Sequence, residues 1–500
     1  MVAGRLFFYC LLLTLAFRFW LAAAMPITGD EAYFIWWGMK PDWGFYDHPP
    51  MVGWWLAALL AVSDAEWWLR LPAVLQPAVL ALAAGAAFRR LWPELDDDRA
   101  AWAMLLVLLA PVNVWNVFIT TDTPLVYFAV LSGLAWIRAA EDDDLGWYFL
   151  AGLLLAGAVL SKYFAALLGF AYLVDVLLRR RPRAWAGLVL AYACTLPALG
   201  LMAWWNADNC WPNYMFNFVN RHEGAGLSWK TPLLYAATLA YVLTPPVLWL
   251  LVTRGGGALT MGCRALVTLS VVPFALFAGL SLVKTVGLHW LLSFVPFALL
   301  PLARRLEPGG LRRLGHFFVG FAVLHMVVIA VAARLPIETL QGSRQYPGIV
   351  LTFESAALLD ALKPFEADYV FASDGYSNAV TLGYNARRYF LVFGEASSHA
   401  RHDDILTDFR ELAGRHILVL RKTEPAPGEY RPYFRAVEVK RIEVRGAPFW
   451  IVLGRDFDYE AYRQGVLAQV RQKYYAIPGW LPQGACYYCD RYFPGTPCIR

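Results

Sequence analysis

Gly29-Asp30-Glu31-Ala32-Tyr33 and, a little further on, Gly44-Phe45-Tyr46-Asp47-His48-Pro49-Pro50 interrupt a chain that is otherwise almost continuously hydrophobic through residue 333. Acids, aromatics and a Pro-Pro are concentrated where the first apolar run, near 6–25, ends. Ionisable groups at a membrane boundary are expensive to keep and are functional candidates by default. Such a loop suits an enzyme that meets a charged, water-borne group while a greasy partner stays in the bilayer.

Composition agrees with a membrane location. Of 500 residues, 59% are hydrophobic and 16% charged, where soluble domains carry about 25% charged residues. A net charge of +5 is too small to argue for nucleic acid. Several of the 22 Trp fall at predicted span ends, where amphipathic rings favour the headgroup layer.

Runs near the length of about 20 residues that a bilayer demands occur at 6–25, 70–88, 101–118, 124–138, 146–160, 164–178, 184–205, 231–252, 265–283, 288–303 and 315–333. They predict about eleven spans. Arg5 before the first run also fits a cleaved leader ending at Ala22-Ala23-Ala24. Many further spans favour a retained helix.

One set of loops holds Arg89-Arg90, Arg138, Arg179-Arg180-Arg181, Arg264 and Arg304-Arg305; the alternate set holds Asp30, Asp47, Asp122, Lys162, Arg221, His222 and Lys284. Basic residues mark the cytoplasmic side, which puts the N-terminus inside and the second set, with the C-terminal part, outside.

The predicted division is 1–333 as a transmembrane domain and 334–500 as an extracytoplasmic α/β domain. In the first, the outer loop 26–68 is expected to carry two short interfacial helices either side of Tyr46–Pro50, one of them near Met51–Leu60. In the second, Tyr369–Phe371, His416–Leu420, Val437–Val444 and Phe449–Leu453 read as strands. No phosphate loop, dinucleotide fingerprint or nucleophile elbow is present.

Asp30 and Glu31 are both candidates to take a proton from an incoming hydroxyl; alternatively both serve the next helix, Asp30 as its cap and Glu31 in its first turn. Asp122, in Thr121-Asp122-Thr123-Pro124, is either a second site carboxylate or the cap of the following span. Lys162, in the tight link Ser161-Lys162-Tyr163, either snorkels to headgroups or sits inside the bundle and meets a phosphate beside the Tyr163 hydroxyl. Arg221 offers a planar fork for phosphate. His222 is a scaffold or a proton carrier, and with Asp47 it offers two ligands for a divalent metal, too few for a zinc site. Lys284 and His289 repeat the pattern between later runs. Cys10, Cys194, Cys210 and Cys263 read as small buried hydrophobes. One disulfide is expected among Cys486, Cys489 and Cys498, leaving one thiol.

Asp30-Glu31-Ala32-Tyr33, Tyr46-Asp47-His48-Pro49-Pro50, Arg70-Leu71-Pro72, Thr121-Asp122, Leu160-Ser161-Lys162-Tyr163, Trp205-Asn206 and His289-Trp290 stand in an order that resembles the family 39 glycosyltransferases. This group includes protein O-mannosyltransferases and lipid A aminoarabinose transferases. The resemblance implies the membrane-embedded C-type fold and a polyprenyl-phosphate sugar donor. The implied acceptor is lipid A, another glycan or a protein, at the extracytoplasmic face of a bacterial inner membrane. It maps the essential carboxylate onto Asp30 and the second outer acid onto Asp122. It implies no obligatory cofactor and inversion by single displacement. Where aminoarabinose transferases carry Lys before Pro-Pro, this chain has His48, so His48, Lys162 and Arg221 share the candidacy for the donor phosphate. The competing reading is a polytopic lipid or glycan transporter or flippase; transporters place ionisable groups near the midplane, whereas here they gather at span ends.

Overall fold

A computed structural model describes residues 2–222, 226–254, 261–396, 401–482, 484–496 and 498. The chain forms two compact units, one from Met1–Met25, Leu59–Leu201 and Gly224–Ala333, the other from Pro26–Ala58, Met202–Glu223 and Arg334–Arg500. Most of the acid-rich outer loop thus clusters with the C-terminal residues, a different grouping from a single cut at residue 333.

The first unit is helical. Six described helices are long and apolar enough to cross a membrane: Val2–Ala24, Glu66–Leu91, Asp122–Asp142, Pro182–Ala207, Cys263–Ser281 and Pro308–Ala332. A seventh crossing results if Lys230–Leu243 and Pro245–Thr253, bent by 93°, act as one. The bend has a local cause. Pro245-Pro246 supply no amide hydrogens and push the preceding residue out of helical space, and Thr244 has φ +72°. Other apolar runs fold into helices of 11 to 15 residues, Asp97–Leu108, Leu145–Val159, Ala165–Arg179 and Val295–Arg305.

Breaks and prolines leave carbonyls without helical partners, and two buried arginines collect them. Pro77 lies inside the helix Leu71–Leu91 and cannot donate to the carbonyl four residues back, at Ala73. Arg18, 1% exposed, donates to that carbonyl (2.5 Å), to Val74 (3.0 Å) and Asn116 (2.7 Å), and to Asn113. Arg70 donates to the carbonyls of Ala22 and Met25, at 2.8 and 2.6 Å, at the end of Val2–Ala24. Unsatisfied backbone groups cost several kcal/mol in lipid, so an arginine on an otherwise apolar helix is here a backbone partner.

In the second unit, helices Gly29–Met39 and Met51–Leu60 flank Tyr46–Pro50, as expected from the loop's pattern. Its sheet has five strands: β1 (Tyr369–Ser373), β2 (Leu391–Val392), β3 (His416–Arg421), β4 (Phe434–Val444) and β5 (Ala447–Phe457), in the order β2-β1-β3-β5-β4. β1 pairs in parallel with both β2 and β3. β5 runs antiparallel to β3 and β4. The β4–β5 turn, Arg445-Gly446, has φ +50° and +75°, the primed geometry whose twist matches hairpin strands. Four strands follow the sequence reading; β2 escapes it because two residues carry no periodicity.

The cysteines correct two expectations. Cys210 is not an isolated buried hydrophobe but is bonded to Cys486, 276 positions away, and Cys489 is bonded to Cys498. No thiol is left over in the C-terminal group. Cys210 follows the end of the helix Pro182–Ala207 at φ +66°, and its partner is supplied by folding rather than by sequence proximity.

Candidate functional site

In the second unit, the site begins at the start of the helix Gly29–Met39. Its N-cap is Thr28, not Asp30. The Thr28 Oγ1 accepts from the Glu31 N–H at 3.4 Å, and the Glu31 carboxylate accepts from the Thr28 N–H and Oγ1, at 3.1 and 3.0 Å. This reciprocal capping box uses the fully buried Glu31. Asp30 is left exposed, one position earlier on the same turn. The Tyr376 hydroxyl donates to Asp30 Oδ1 at 3.1 Å.

Beside it lies Asp47, 7% exposed. The Tyr33 hydroxyl donates to Asp47 Oδ1 at 3.1 Å and accepts from the His402 N–H at 3.3 Å. The Tyr33 ring packs edge-on against Tyr376, centroids 5.5 Å apart. His48 Nε2 stands 3.8 Å from Asp47 Oδ2. Burial pushes the Asp47 carboxyl up to about 7, opposed by the Tyr33 hydrogen bond and by the charge of Arg221; Asp30 adds to the rise. Burial also holds the His402 imidazole down, to about 3. Its Nδ1 accepts from the Tyr46 N–H at 3.5 Å, which requires a neutral ring. Arg221 is half-buried with its guanidinium 5.5 Å from the Phe216 ring centroid, and burial lowers its pKa.

The loop carrying Asp47 is held from the segment after Leu201. Trp205 lies against Gly44, where a Cβ would meet ring carbons at 2.5 Å, and its Nε1 donates to Asp42 at 3.1 Å. Asn206 Oδ1 accepts from the Asn213 N–H at 3.0 Å, and the Asn213 amide donates to the carbonyls of Phe45 and Tyr46. Asn217 donates to the Asp47 carbonyl at 3.1 Å. Trp205-Asn206, noticed in the sequence as a landmark, therefore positions the loop.

In the first unit, Asp122 occupies the first turn of the helix Asp122–Asp142 and Thr121 the cap position. Lys162 does not snorkel. It is buried, with Nζ 2.9 and 2.8 Å from the two Asp122 oxygens. The link between the helices Leu145–Val159 and Ala165–Arg179 is too short to carry it outward, and Ser161 is tied to the Gly157 carbonyl at 2.7 Å. His289 Nε2 stands 3.7 Å from Asp122 Oδ2, on a half-exposed ring. Tyr163 and Lys284 are half-buried in the same unit.

The sequence candidates thus fall into two groups, Asp30, Glu31, Asp47, His48 and Arg221 in one unit and Asp122, Lys162 and His289 in the other. The His222 side chain, needed for a metal with Asp47, lies outside the described residues. Among the described residues, Cys486, Cys489 and Cys498 form the one close group of three potential metal ligands, and their sulfurs are engaged in disulfides. Tyr376 and His402 were missed because their relation to Asp30 and Tyr33 spans more than 340 positions.

The sequence pattern of the family described as dolichyl-phosphate-mannose-protein mannosyltransferase matches residues 47–205. A lipid A galacturonosyltransferase, RgtD of Rhizobium johnstonii, is 30% identical over 162 residues, 31% of this chain and 33% of the relative. The chain thus spans about a third of the length of the curated relative it matches. Two crystal structures of ArnT from Cupriavidus metallidurans share the fold. The one bound to undecaprenyl phosphate has a TM-score of 0.60 at 15% identity, over 89% of this chain and 97% of that one. The apo form has a TM-score of 0.61 at 15% identity, over 90% and 98%. Over residues 47–205 the chain is thus similar to the dolichyl-phosphate-mannose-protein mannosyltransferase family, and over most of its length it shares the fold of ArnT.

Proposed function

We propose that this protein is a membrane glycosyltransferase that moves a sugar from a polyprenyl-phosphate donor to an envelope acceptor, a lipid A, glycan or protein hydroxyl. It acts at the extracytoplasmic face of a bacterial inner membrane. The arrangement of about eleven spans, N-terminus inside and residues 334–500 outside, belongs to this proposal. So does the absence of an obligatory cofactor.

The observation that carries the reading is the pinned, water-facing Asp30 carboxylate. Glu31 is consumed in fixing the helix start, Tyr376 holds one Asp30 oxygen, and Asp30 is an exposed residue. A base for an incoming hydroxyl needs this combination of fixed direction and access. In the proposed step the acceptor oxygen bonds to the anomeric carbon as the bond from that carbon to the phosphate oxygen breaks. The hydroxyl proton passes to Asp30, and the phosphate departs with the bonding electrons. Configuration inverts. The leaving phosphate is anionic, so it calls for cations rather than a general acid; His48 and Arg221, in the unit that holds Asp30, are the candidates. RgtD, by its name, acts on lipid A, and ArnT is described with undecaprenyl phosphate; both lend support to this donor and acceptor class.

The test is Asp30→Asn in the full chain. Transfer from a synthetic polyprenyl-phosphate sugar should fall by about 10²–10⁴-fold with unchanged thermal unfolding. Retained transfer removes the proposal for Asp30.

A further inference from the structure

We infer that a cavity in the C-terminal sheet region binds sugar rings of the acceptor and presents the acceptor hydroxyl to Asp30, an inference that rests on the transferase reading above. The cavity measures about 610 Å³, in the range of small-molecule sites. It opens at the carboxyl ends of the parallel strands, between Asp374 after β1 and Arg421-Lys422 at the end of β3. β1 leads through the helix Tyr376–Asn385 to β2 on one side, while β3 lies on the other. Ligands of open α/β sheets settle at such switch points.

The lining is that of a polyol site rather than a phosphate site. Asp374-Gly375 separates β1 from the helix, a turn with a single glycine and no Gly-rich loop to cradle a diphosphate. Asp374, Glu395 and Glu429 outnumber Arg421 and Lys422, which disfavours a polyanion. Arg421 is already engaged, 3.3 Å from Asp374, 2.5 Å from Glu429 and 3.0 Å from the Tyr430 hydroxyl. That network fixes the acids and the ring in place before any ligand arrives. Tyr376 and Tyr433 offer aromatic faces for the C–H face of a sugar, and Asn378 and Gln469 offer amides for its hydroxyls. Asp374 and Glu429 are paired with Arg421, and Glu395 stands 3.4 Å from the Lys473 ammonium, a balance that suits a neutral sugar.

Tyr376 connects this cavity to the chemistry. It lines the cavity and its hydroxyl bonds Asp30. A sugar held on its ring has a neighbouring hydroxyl within reach of the proposed base.

The experiment uses the full chain in lipid nanodiscs and a phosphate-free, N-acetylated glucosamine disaccharide as probe. Wild-type protein should bind the disaccharide, read by saturation-transfer NMR and calorimetry, and excess inorganic phosphate should not displace it. Tyr433→Ala and, on the exposed side, Gln469→Ala should each weaken binding about tenfold, with Tyr433→Phe close to wild type. In transfer assays the same variants should raise the acceptor KM about tenfold. Undiminished binding in both alanine variants, or displacement by phosphate, overturns the inference while leaving the transferase reading intact. A wild-type chain that neither transfers nor hydrolyses donor sinks the transferase reading, and binding of the disaccharide then still reports on the cavity.

Discussion

The two groups of acids solve opposite problems. Asp122 is buried against Lys162, an ammonium within hydrogen-bond distance of both its oxygens. Asp30 and Asp47 have no cation at that range among the described residues; their close partners are tyrosine hydroxyls. An ion pair removed from water is a neutral, stiff structural joint. A carboxylate held by a hydroxyl is fixed in direction without being paired to a cation. Residues of one type are thus paired with an ammonium in one unit and held by tyrosine hydroxyls in the other.

The sharpest way to break this contrast is to remove each acid and compare stability. Asp122→Ala strands a buried ammonium and should cost about 3–5 kcal/mol, seen as a lower unfolding midpoint in detergent. Asp30→Ala, on an exposed carboxylate, should change stability by no more than about 0.5 kcal/mol. Equal losses would erase the distinction. Next in size, Gly44→Ala drives a methyl into the Trp205 ring and should cost about 1–3 kcal/mol. It should also lower transfer, because the shifted loop carries Asp47 and His48.

A pH series sharpens the chemical side. The folded Asp47 pKa, about 7, lies above its unfolded value. Its protonated form therefore stabilises the fold, and that contribution, full below the unfolded pKa, is lost as pH rises from about 4 through 7. His402, lowered to about 3, works the other way, losing stability as pH falls below about 6.5. Comparison with Asp47→Asn isolates the first effect. The variant's advantage in unfolding midpoint should grow between pH 4 and 7 and then level off. A constant difference would contradict the buried, raised carboxyl. Smallest of all, Glu31→Gln keeps a capping-box side chain and should leave stability within about 0.5 kcal/mol and transfer near wild type. A large loss of transfer would return Glu31 to the catalytic group.

The readability of this chain follows the range of its interactions. The helices flanking Tyr46–Pro50 were legible because Pro49-Pro50 and an apolar stretch ended by Ser63-Asp64 are local signals. The capping box was partly legible: Thr28 and Glu31 stand three apart, yet Asp30 was the more conspicuous acid. The burial of Lys162 was not legible, because a lysine at a helix end can reach water or a buried acid with equal ease, and the choice depends on a residue 40 positions away. Arg18 and Arg70 gave no sign of their role, since the carbonyls they collect belong to other helices.

Local periodicity, charge asymmetry between loops and the order of short motifs determined that this is a multi-helix membrane-type chain with a small sheet region and an acid-rich outer loop. These depend on neighbours along the chain. Folding alone decided that Cys210 joins Cys486, that Asp122 is neutralised while Asp30 stays open, and that Tyr376 bridges a cavity and a carboxylate. Each of these depends on groups far apart in sequence, whose approach is fixed only when packing excludes water between them.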